Sequence, residues 1–394
     1  MTYSDRWLLP DGVEDVLPPQ AADIELMRRA LLDLYQRWGY ELIIPPMIEY
    51  LQSLLTGTGN DLDLQTFKLT DQLTGRLMGV RADMTPQAAR IDAHSLRRSG
   101  VTRLCYAGHV LHARPASMLA SRAPLQVGCE LFGNDSNAAD LEIIELMLET
   151  LHSASRPAVH LDLSHAGIYQ CLVESAGLDE VEQAQVFDAM RRKSIPELDE
   201  LLGDAQEGTS RAMLRELALL SGGEDILARA SECFSGAPAQ VHRALKDLEM
   251  AVGMVRKNYP DVAVGFDFSE LRGYNYHTGL VFAAYCRGSG EVLAQGGRYD
   301  SVGASFGRPR PATGFTADLR ALSALLNGGD PVSRSVIWAP ADEDETLHEK
   351  IRELRQSETV IQALPGEPGS PAEHGCDRQL VPEGGDWKVV PVRG

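Results

Sequence analysis

The stretch of sequence that decides the fold reads LRGYNYHTGLVF over residues 271–282, and GGRYD follows at residues 296–300. Arg272 brings a planar guanidinium that can bind a carboxylate through two hydrogen bonds. Tyr276 and His277 precede an apolar run that is typical of a strand, and taken alone they are equally compatible with an ordinary strand. The glycine pair in the second segment favours a turn. This combination indicates a binding site for a small molecule that carries a carboxylate.

A second group of polar residues lies further toward the N-terminus, within residues 108–133. Gln126, Gly128 and Glu130 alternate along the sequence, so in a strand their side-chain positions face the same side. We expect the glycine between two polar residues to leave room for a ligand. Taken alone, the same pattern describes the solvated face of an antiparallel sheet.

A turn before a helix supplies a third group of candidate residues. Residues 66–70 and 76–81 are predicted to pair as a hairpin, and a helix is predicted over residues 88–96. Asp83 and Thr85 lie between them, where a carboxylate and a hydroxyl offer acceptors to an ammonium group. Asp and Thr before a helical proline also cap helices, and the two roles are compatible.

These segments resemble the histidine-recognition and motif 2 regions of class II histidyl-tRNA synthetases. Residues 22–38, an amphipathic pattern that ends at Gly39 before the extended segment 41–46, resemble motif 1, which builds the dimer interface of those enzymes. The resemblance implies that residues 296–299 close over a bound histidine. It also implies that amino, imidazole and carboxylate groups are bound by Asp83, Thr85, Gln126, Glu130, Arg272, Tyr276 and His277.

The same comparison shows what the chain lacks. His112 and Ala321 stand where a synthetase has the two arginines that hold ATP, and Asp318 replaces a small glycine near the triphosphate. Arg114 is one residue out of step with a motif 2 arginine, so in a regular strand it would face the opposite side. If each phosphate contact contributes about 1.5 to 3 kcal/mol, the two losses remove roughly 3 to 6 kcal/mol of binding. We therefore predict that the chain has no catalytic residues of its own.

The remaining segments suggest the domain organisation. Residues 1–169 and 259–326 are predicted to form the synthetase-like core, and residues 170–258 a helical insertion. Within that insertion, helices are predicted over 182–192, 196–202, 210–220 and 238–257. Residues 327–394 form a small acidic C-terminal region with a formal balance of −6. This region, with a strand over 335–338, a helix over 345–355 and a loose run over 365–375, is small for an anticodon-binding domain.

Composition limits the function classes. The 394 residues carry a formal charge of −19, which disfavours broad contact with a polyanion such as tRNA. The sequence shows no signal peptide and no apolar run long enough to span a bilayer, so we expect a cytoplasmic protein with no membrane contact. The six cysteines are scattered without a metal-ligand spacing, and we expect neither a metal nor a cofactor.

The interpretation that fits these observations is an α+β fold. It consists of a class II aminoacyl-tRNA synthetase-like antiparallel sheet flanked by helices, with a helical insertion and a small C-terminal region. The family that the chain most resembles is the regulatory subunit of ATP phosphoribosyltransferase, the first enzyme of histidine biosynthesis. The resemblance implies a non-catalytic, feedback-mediating homodimer that binds histidine and a short-form ATP phosphoribosyltransferase catalytic subunit. The alternatives are a divergent amino-acid-activating enzyme and a free-standing histidine-binding module.

Overall fold

A computed structural model describes most of the chain. The described residues are 7–57, 60–115, 120–155, 158–203, 206, 209–270, 276–286, 292–326, 335–367 and 369–392. The chain forms two compact units, residues 1–326 and 327–394. Among the described helices, none is long and apolar enough to cross a membrane.

The first unit contains helices and strands in alternation. Its helices are α1 Gln20–Arg37, α2 Leu51–Leu54, α3 Asn60–Gln65, α4 Thr85–Arg90, α5 Asn137–Ser155, α6 Ala166–Ala176, α7 Glu180–Arg191, α8 Ile195–Leu202, α9 Ser210–Leu217, α10 Asp225–Cys233, α11 Ala239–Asn258, α12 Val302–Ser305 and α13 Leu319–Leu326. Its strands are β1 Glu41–Leu42, β2 Ile48–Tyr50, β3 Phe67–Thr70, β4 Leu77–Val80, β5 Thr102–His109, β6 Leu125–Phe132, β7 Val159–His165, β8 Ser221–Gly222, β9 Ala263–Asp267, β10 Leu280–Cys286, β11 Val292–Arg298 and β12 Ala312–Asp318.

One large sheet organises this unit. Within the described ranges it has nine strands in the order β1-β5-β6-β12-β11-β10-β7-β9-β8. The pairs β1·β5 and β7·β9 are parallel, and the other neighbours are antiparallel. Glu130, Gly314, Gly297, Val281 and Ser164 are successive cross-strand partners from β6 to β7. Cross-strand partners share a face, so this row lies on one side of the sheet.

Helices α1 and α5 contribute to the hydrophobic core of this sheet. On α1 the buried side chains recur every three or four residues, as an amphipathic helix requires: Ile24, Met27, Leu31, Leu34 and Tyr35. The predicted helix over 22–38 is confirmed, and Gly39 follows it with a φ of +83°. The extended segment after it is shorter than expected, because only Glu41 and Leu42 pair with β5.

The hairpin and the turn after it are observed at the predicted place. Strands β3 and β4 pair antiparallel, with Phe67 opposite Val80. The helix predicted over 88–96 begins earlier, at Thr85, and its second half, Ile91–Leu96, is a π-helical turn. The early start places Thr85 inside the helix.

Helices α6 to α11 and the short strand β8 lie between β7 and β9 in sequence. The four helices predicted here correspond to α7, α8, α9 and α11. Helices α6 and α10 were not predicted; α6 begins at His165, which is not a common N-cap residue. Buried residues of these helices belong to the same hydrophobic cluster as the sheet.

The second unit is small. It contains β13 Val336–Ala339, α14 Glu345–Leu354, β14 Thr359–Gln362, β15 Arg378–Glu383 and β16 Asp386–Pro391. In the described part of this unit, four strands form a sheet in the order β14-β13-β15-β16, and α14 packs on it through Leu347 and Ile351. The predicted strand and helix are observed as β13 and α14, whereas β14 to β16 were not predicted.

Candidate functional site

A pocket of about 800 Å³ lies on the face of the large sheet that carries the row from Glu130 to Ser164. Strands β6, β12, β11, β10 and β7 supply its floor, and the turn at Asp83 and the end of α7 contribute to its walls. Gly314 and Gly297 have no side chains, so the strands that form the floor do not project into the pocket at these positions. A Cβ on Gly314 would lie 1.7 Å from Oε2 of Glu130, so the pocket requires glycine there.

Glu130 is the buried acid of this pocket, with no exposed surface. The Tyr106 hydroxyl donates to its Oε1 at 2.8 Å, and the Tyr299 hydroxyl donates to its Oε2. Burial raises the pKa of the Glu130 carboxyl to about 8, although both tyrosine hydroxyls act in the opposite direction. The pocket therefore holds a carboxyl group that can change its charge near neutral pH.

The turn before α4 brings Asp83 and Thr85 to the wall of the pocket. Oδ1 of Asp83 accepts hydrogen bonds from the Thr85 amide at 3.1 Å and from the Thr85 hydroxyl at 3.2 Å. It also accepts from Nε2 of Gln126 at 2.8 Å, while Oε1 of Gln126 accepts from the Met84 amide at 2.9 Å. Met84, the residue before α4, makes no side-chain capping bond, whereas the Asp83 carboxylate accepts the Thr85 amide at the start of the helix and so also acts as a cap.

Gln126 and Gly128, on the same strand as Glu130, do not line the pocket. Gln126 faces the turn at Asp83 and is not one of the described residues that line the pocket. Gly128 was expected to leave room for a ligand, and this is wrong. Tyr106, its cross-strand partner, fills the space, because a Cβ on Gly128 would lie 2.8 Å from the Tyr106 hydroxyl oxygen.

Tyr276 and His277 both line the pocket. The Tyr276 ring stacks on Tyr299 with centroids 4.9 Å apart, and its buried hydroxyl has no hydrogen-bond partner among the described residues. The His277 imidazole lies against Gly297, with Nδ1 3.3 Å from the carbonyl oxygen of Arg298. Burial lowers the pKa of His277 to about 4, so its ring is neutral at pH 7.

The segment 296–299 does not form the predicted turn. Gly296, Gly297 and Arg298 belong to β11, a central strand paired with β10 and β12 on its two sides. Arg298 points away from the pocket row and bonds to Asp140 on α5 at 2.9 Å. The segment reaches the candidate site through Gly296 and Gly297 in the floor and through the hydroxyl of Tyr299, which donates to Glu130.

Arg272 lies in residues 271–275, outside the described part of the chain, so its contact with a carboxylate stays a prediction. Tyr299 belongs to the segment predicted to close over histidine, whereas the contact of Tyr106 with Glu130 and Thr85 was not predicted. Tyr106 lies opposite Gly128 in the β5–β6 pair, and this register is known only from the structure.

The residues that replace the ATP-binding arginines do not line this pocket. Nε2 of His112 lies 3.0 Å from the carbonyl oxygen of Ala82, and Ala321 lies on α13. Neither residue is among the described pocket-lining residues. The carboxyl of Asp318 accepts the amides of Leu125 and Arg320 at 3.3 and 2.9 Å, and burial raises its pKa.

Arg114 also differs from the sequence argument. Strand β5 ends at His109, so the alternation of faces does not extend to residue 114. Arg114 is exposed and lies in an irregular segment. The prediction that Arg114 faces the opposite side from the motif 2 arginine therefore does not apply, because Arg114 is not in a strand.

Comparisons with known proteins identify the family of the chain. The family model described as Histidyl-tRNA synthetase matches residues 12–322, and the model described as ATP phosphoribosyltransferase subunit HisZ C-terminal domain matches residues 334–390. The chain is 61% identical to the ATP phosphoribosyltransferase regulatory subunit of Marinobacter nauticus and 54% identical to that of Azotobacter vinelandii, with 100% of both chains covered in each case.

A solved structure of an ATP phosphoribosyltransferase regulatory subunit/histidyl-tRNA synthetase from Bacillus halodurans has the same fold. It matches with a TM-score of 0.79 and 26% identity, over 93% of this chain and 95% of that chain. The α+β, synthetase-like fold is thereby confirmed. This chain belongs to the family of ATP phosphoribosyltransferase regulatory subunits.

Proposed function

We propose that the chain senses free histidine in the pocket around Glu130 and passes that state to a catalytic ATP phosphoribosyltransferase subunit. Family membership confirms the prediction of a regulatory subunit that does not aminoacylate tRNA, and such a subunit implies a catalytic partner. The observation that carries the proposal is the separation of two sites. The polar pocket is built around Glu130, while His112 and Ala321 lie outside it.

The pocket offers a partner for each polar end of histidine. Asp83 and Thr85 present a carboxylate and a hydroxyl for the ammonium group, and Gln126 holds that turn in place. Glu130 accepts an imidazole N–H, and the Tyr276 hydroxyl, which has no hydrogen-bond partner in the described part of the chain, is available to the second ring nitrogen. Arg272 is proposed for the carboxylate on the basis of the sequence resemblance alone. His277 then serves as a neutral wall next to the ring.

We expect a homodimer through the synthetase-like core. Exposed apolar side chains support this expectation at and just after the edge strand β1, where Leu42, Ile44 and Ile48 are exposed at 50%, 88% and 45%. Exposed apolar residues grouped at a sheet edge are typical of an interface. The other expectations are a cytoplasmic location, a short-form catalytic partner and no tRNA partner.

Calorimetry with free histidine tests the pocket. Glu130→Ala and Arg272→Ala should each weaken binding by roughly 1 to 3 kcal/mol, because each leaves a polar group of the ligand unpaired. Val181→Ala, at an exposed position on α7, serves as the control and should bind as the wild type does. Unchanged affinity in both pocket variants would move the histidine site elsewhere, to an interface with the partner.

The second experiment mixes the chain with its cognate catalytic subunit. We expect a hetero-oligomer, faster formation of phosphoribosyl-ATP, and inhibition by histidine that depends on both protein concentrations. Histidine-dependent exchange of pyrophosphate into ATP should stay at background in the chain alone. Separate elution at micromolar concentration, with a transferase rate indifferent to the chain, would favour a free-standing histidine-binding module.

A further inference from the structure

One buried hydroxyl joins the two ends of the candidate histidine pocket. Tyr106 on β5 is fully buried, and its hydroxyl lies 2.8 Å from Oε1 of Glu130 and 3.2 Å from Oγ1 of Thr85. The Thr85 hydroxyl in turn lies 3.2 Å from Oδ1 of Asp83. A chain of hydrogen bonds therefore runs from Asp83, at the ammonium end, to Glu130, at the imidazole end.

Each hydroxyl donates once, so two arrangements keep both contacts of Tyr106, to Glu130 and to Thr85, hydrogen-bonded: one has Glu130 ionised, and the other has Glu130 protonated on Oε1. When Glu130 is ionised, Tyr106 donates to Glu130 and Thr85 donates to Tyr106. When Glu130 is protonated, Glu130 donates to Tyr106, Tyr106 donates to Thr85, and Thr85 donates to Asp83. The charge of Glu130 thus decides which way the Thr85 hydroxyl points.

An ammonium group distinguishes the two arrangements because it only donates hydrogen bonds. With Glu130 ionised, both lone pairs of the Thr85 hydroxyl are open to the ligand. Asp83 then accepts no hydrogen bond from that hydroxyl, so its carboxylate is also open to the ligand. With Glu130 protonated, the Thr85 hydroxyl accepts a hydrogen bond from Tyr106 and donates one to Asp83, so both residues have less capacity to accept from the ligand. A bound ammonium group consequently favours the ionised form of Glu130.

We propose that Tyr106 is a positioning residue that couples recognition of the ligand's ammonium group to the charge of Glu130 at the other end of the pocket. The proposal rests on the proposed binding of histidine in this pocket. Its consequence is selectivity for ligands that carry both groups, because the ammonium group prepares the carboxylate that accepts the imidazole N–H. Separate recognition of the two ends would give no such mutual support.

The groups that face Glu130 allow its charge to change while the hydrogen-bond chain stays in place. Among the described residues these are Tyr106 from β5, Tyr299 after β11, Tyr276, and Asp83 from the turn before α4. The pKa of the Glu130 carboxyl, raised to about 8 by burial, lies where a modest change at Thr85 alters its charge. The pKa values of all three tyrosine hydroxyls are raised by burial, so the hydroxyls stay neutral and act only as relays.

Difference infrared spectroscopy on the full chain tests the coupling. The carboxyl band of protonated Glu130, assigned by its loss in Glu130→Gln, is followed with pH in complexes with histidine and with imidazolepropionate, which lacks the amino group. In the wild type, we expect proton affinity at Glu130 to be roughly tenfold lower with histidine than with the analogue, as one charge-assisted hydrogen bond implies.

Two variants separate the relay from general disturbance. In Tyr106→Phe the difference between the ligands should fall to about twofold, the remainder expected from charge attraction across the pocket. Tyr299→Phe also removes a hydroxyl from Glu130, but it leaves the chain to Thr85 intact and should keep the tenfold difference. A full tenfold difference in Tyr106→Phe would overturn the proposal.

The wild-type measurement decides the matter even if Tyr106→Phe does not fold. If histidine and imidazolepropionate both bind and leave Glu130 with the same proton affinity, the coupling does not exist and histidine binding itself stands. If neither ligand binds, the proposed histidine site fails first. The two failures are therefore distinguishable.

Discussion

Glu130→Gln should make the protein more stable relative to the wild type as pH rises from about 5 to 8. The wild-type carboxyl is fully buried, and burial raises its pKa from 4.5 to about 8. Between these values the unfolded chain releases the proton while the folded chain keeps it. The free energy of unfolding therefore falls with pH, because the folded state binds more protons than the unfolded state.

The size of the effect follows from the two pKa values. Each pH unit between 4.5 and about 8 changes the free energy of unfolding by about 1.4 kcal/mol, which gives an upper limit of about 5 kcal/mol. The glutamine amide has nearly the same shape and does not titrate. We thus expect Glu130→Gln to resemble the wild type near pH 5 and to exceed it by several kcal/mol near pH 8.

Urea unfolding followed by circular dichroism at several pH values measures this difference for both proteins. Similar slopes against urea concentration would show that the same surface unfolds in both. A difference in free energy that stays constant between about pH 5 and pH 8 would refute the reasoning, since it would place the carboxyl in a solvated environment. The same variant should bind histidine more weakly, because an amide cannot provide the negative charge.

Two further predictions concern the pocket floor and the dimer. Gly314→Ala should abolish histidine binding in calorimetry and lower stability by about 1 to 3 kcal/mol, since its Cβ would meet Glu130 at 1.7 Å. Gly253→Ala on α11, where the added Cβ meets nothing outside its own helix within 4 Å, should leave binding unchanged and should not lower stability, because alanine favours a helix interior more than glycine does. Ile44→Asp should convert the dimer to monomer in light scattering, whereas Leu73→Asp, at a position 95% exposed, should leave the dimer intact. A dimer that persists in Ile44→Asp would place the interface elsewhere.

The sequence predicts best those features that depend on neighbours along the chain. The spacing of apolar residues in α1 reports which side of the helix is buried, and the hairpin before Asp83 follows from two short strands around a turn. Glu130 is also predictable, because alternation along β6 places it on the same side as Gln126. Each of these inferences uses only residues that are close to one another in the sequence.

The sequence predicts worst the features that depend on which strands become neighbours. Gly296 and Gly297 favour a turn when read alone, yet they lie in a central strand. A Cβ on Gly296 would meet the Gly314 carbonyl and Phe282, and a Cβ on Gly297 would meet the Leu280 carbonyl and His277. Tyr106 and Tyr299 reach Glu130 from β5 and from the end of β11, 24 and 169 residues away in sequence. Such partners cannot be identified without the sheet order.

Sheet order also explains how occupancy of the pocket could reach the inserted helices. The row from Glu130 to Ser164 crosses four strand spacings, about 19 Å, which is longer than one amino acid. The Ser164 end of the row lies in the same pocket as Lys193, which follows α7. Lys193 has a left-handed φ of +51°, and its ammonium group bonds to the Asp267 carboxylate at 2.7 Å.

A ligand bound near Glu130 can alter the partner only if it binds two states of the chain with different affinity. The pocket floor is a continuous sheet, whereas the wall at the end of α7 is joined to that sheet near Lys193 by an exposed ion pair worth at most about 1 kcal/mol. Val186, Ala189 and Met190 hold the rest of α7 in the hydrophobic core, so we expect the second state to differ at the exposed end of α7 near Lys193 rather than in the strands. Hydrogen exchange that slows in α7 when histidine binds, with β6 and β12 unchanged, would support this division; slowing confined to the strands would contradict it.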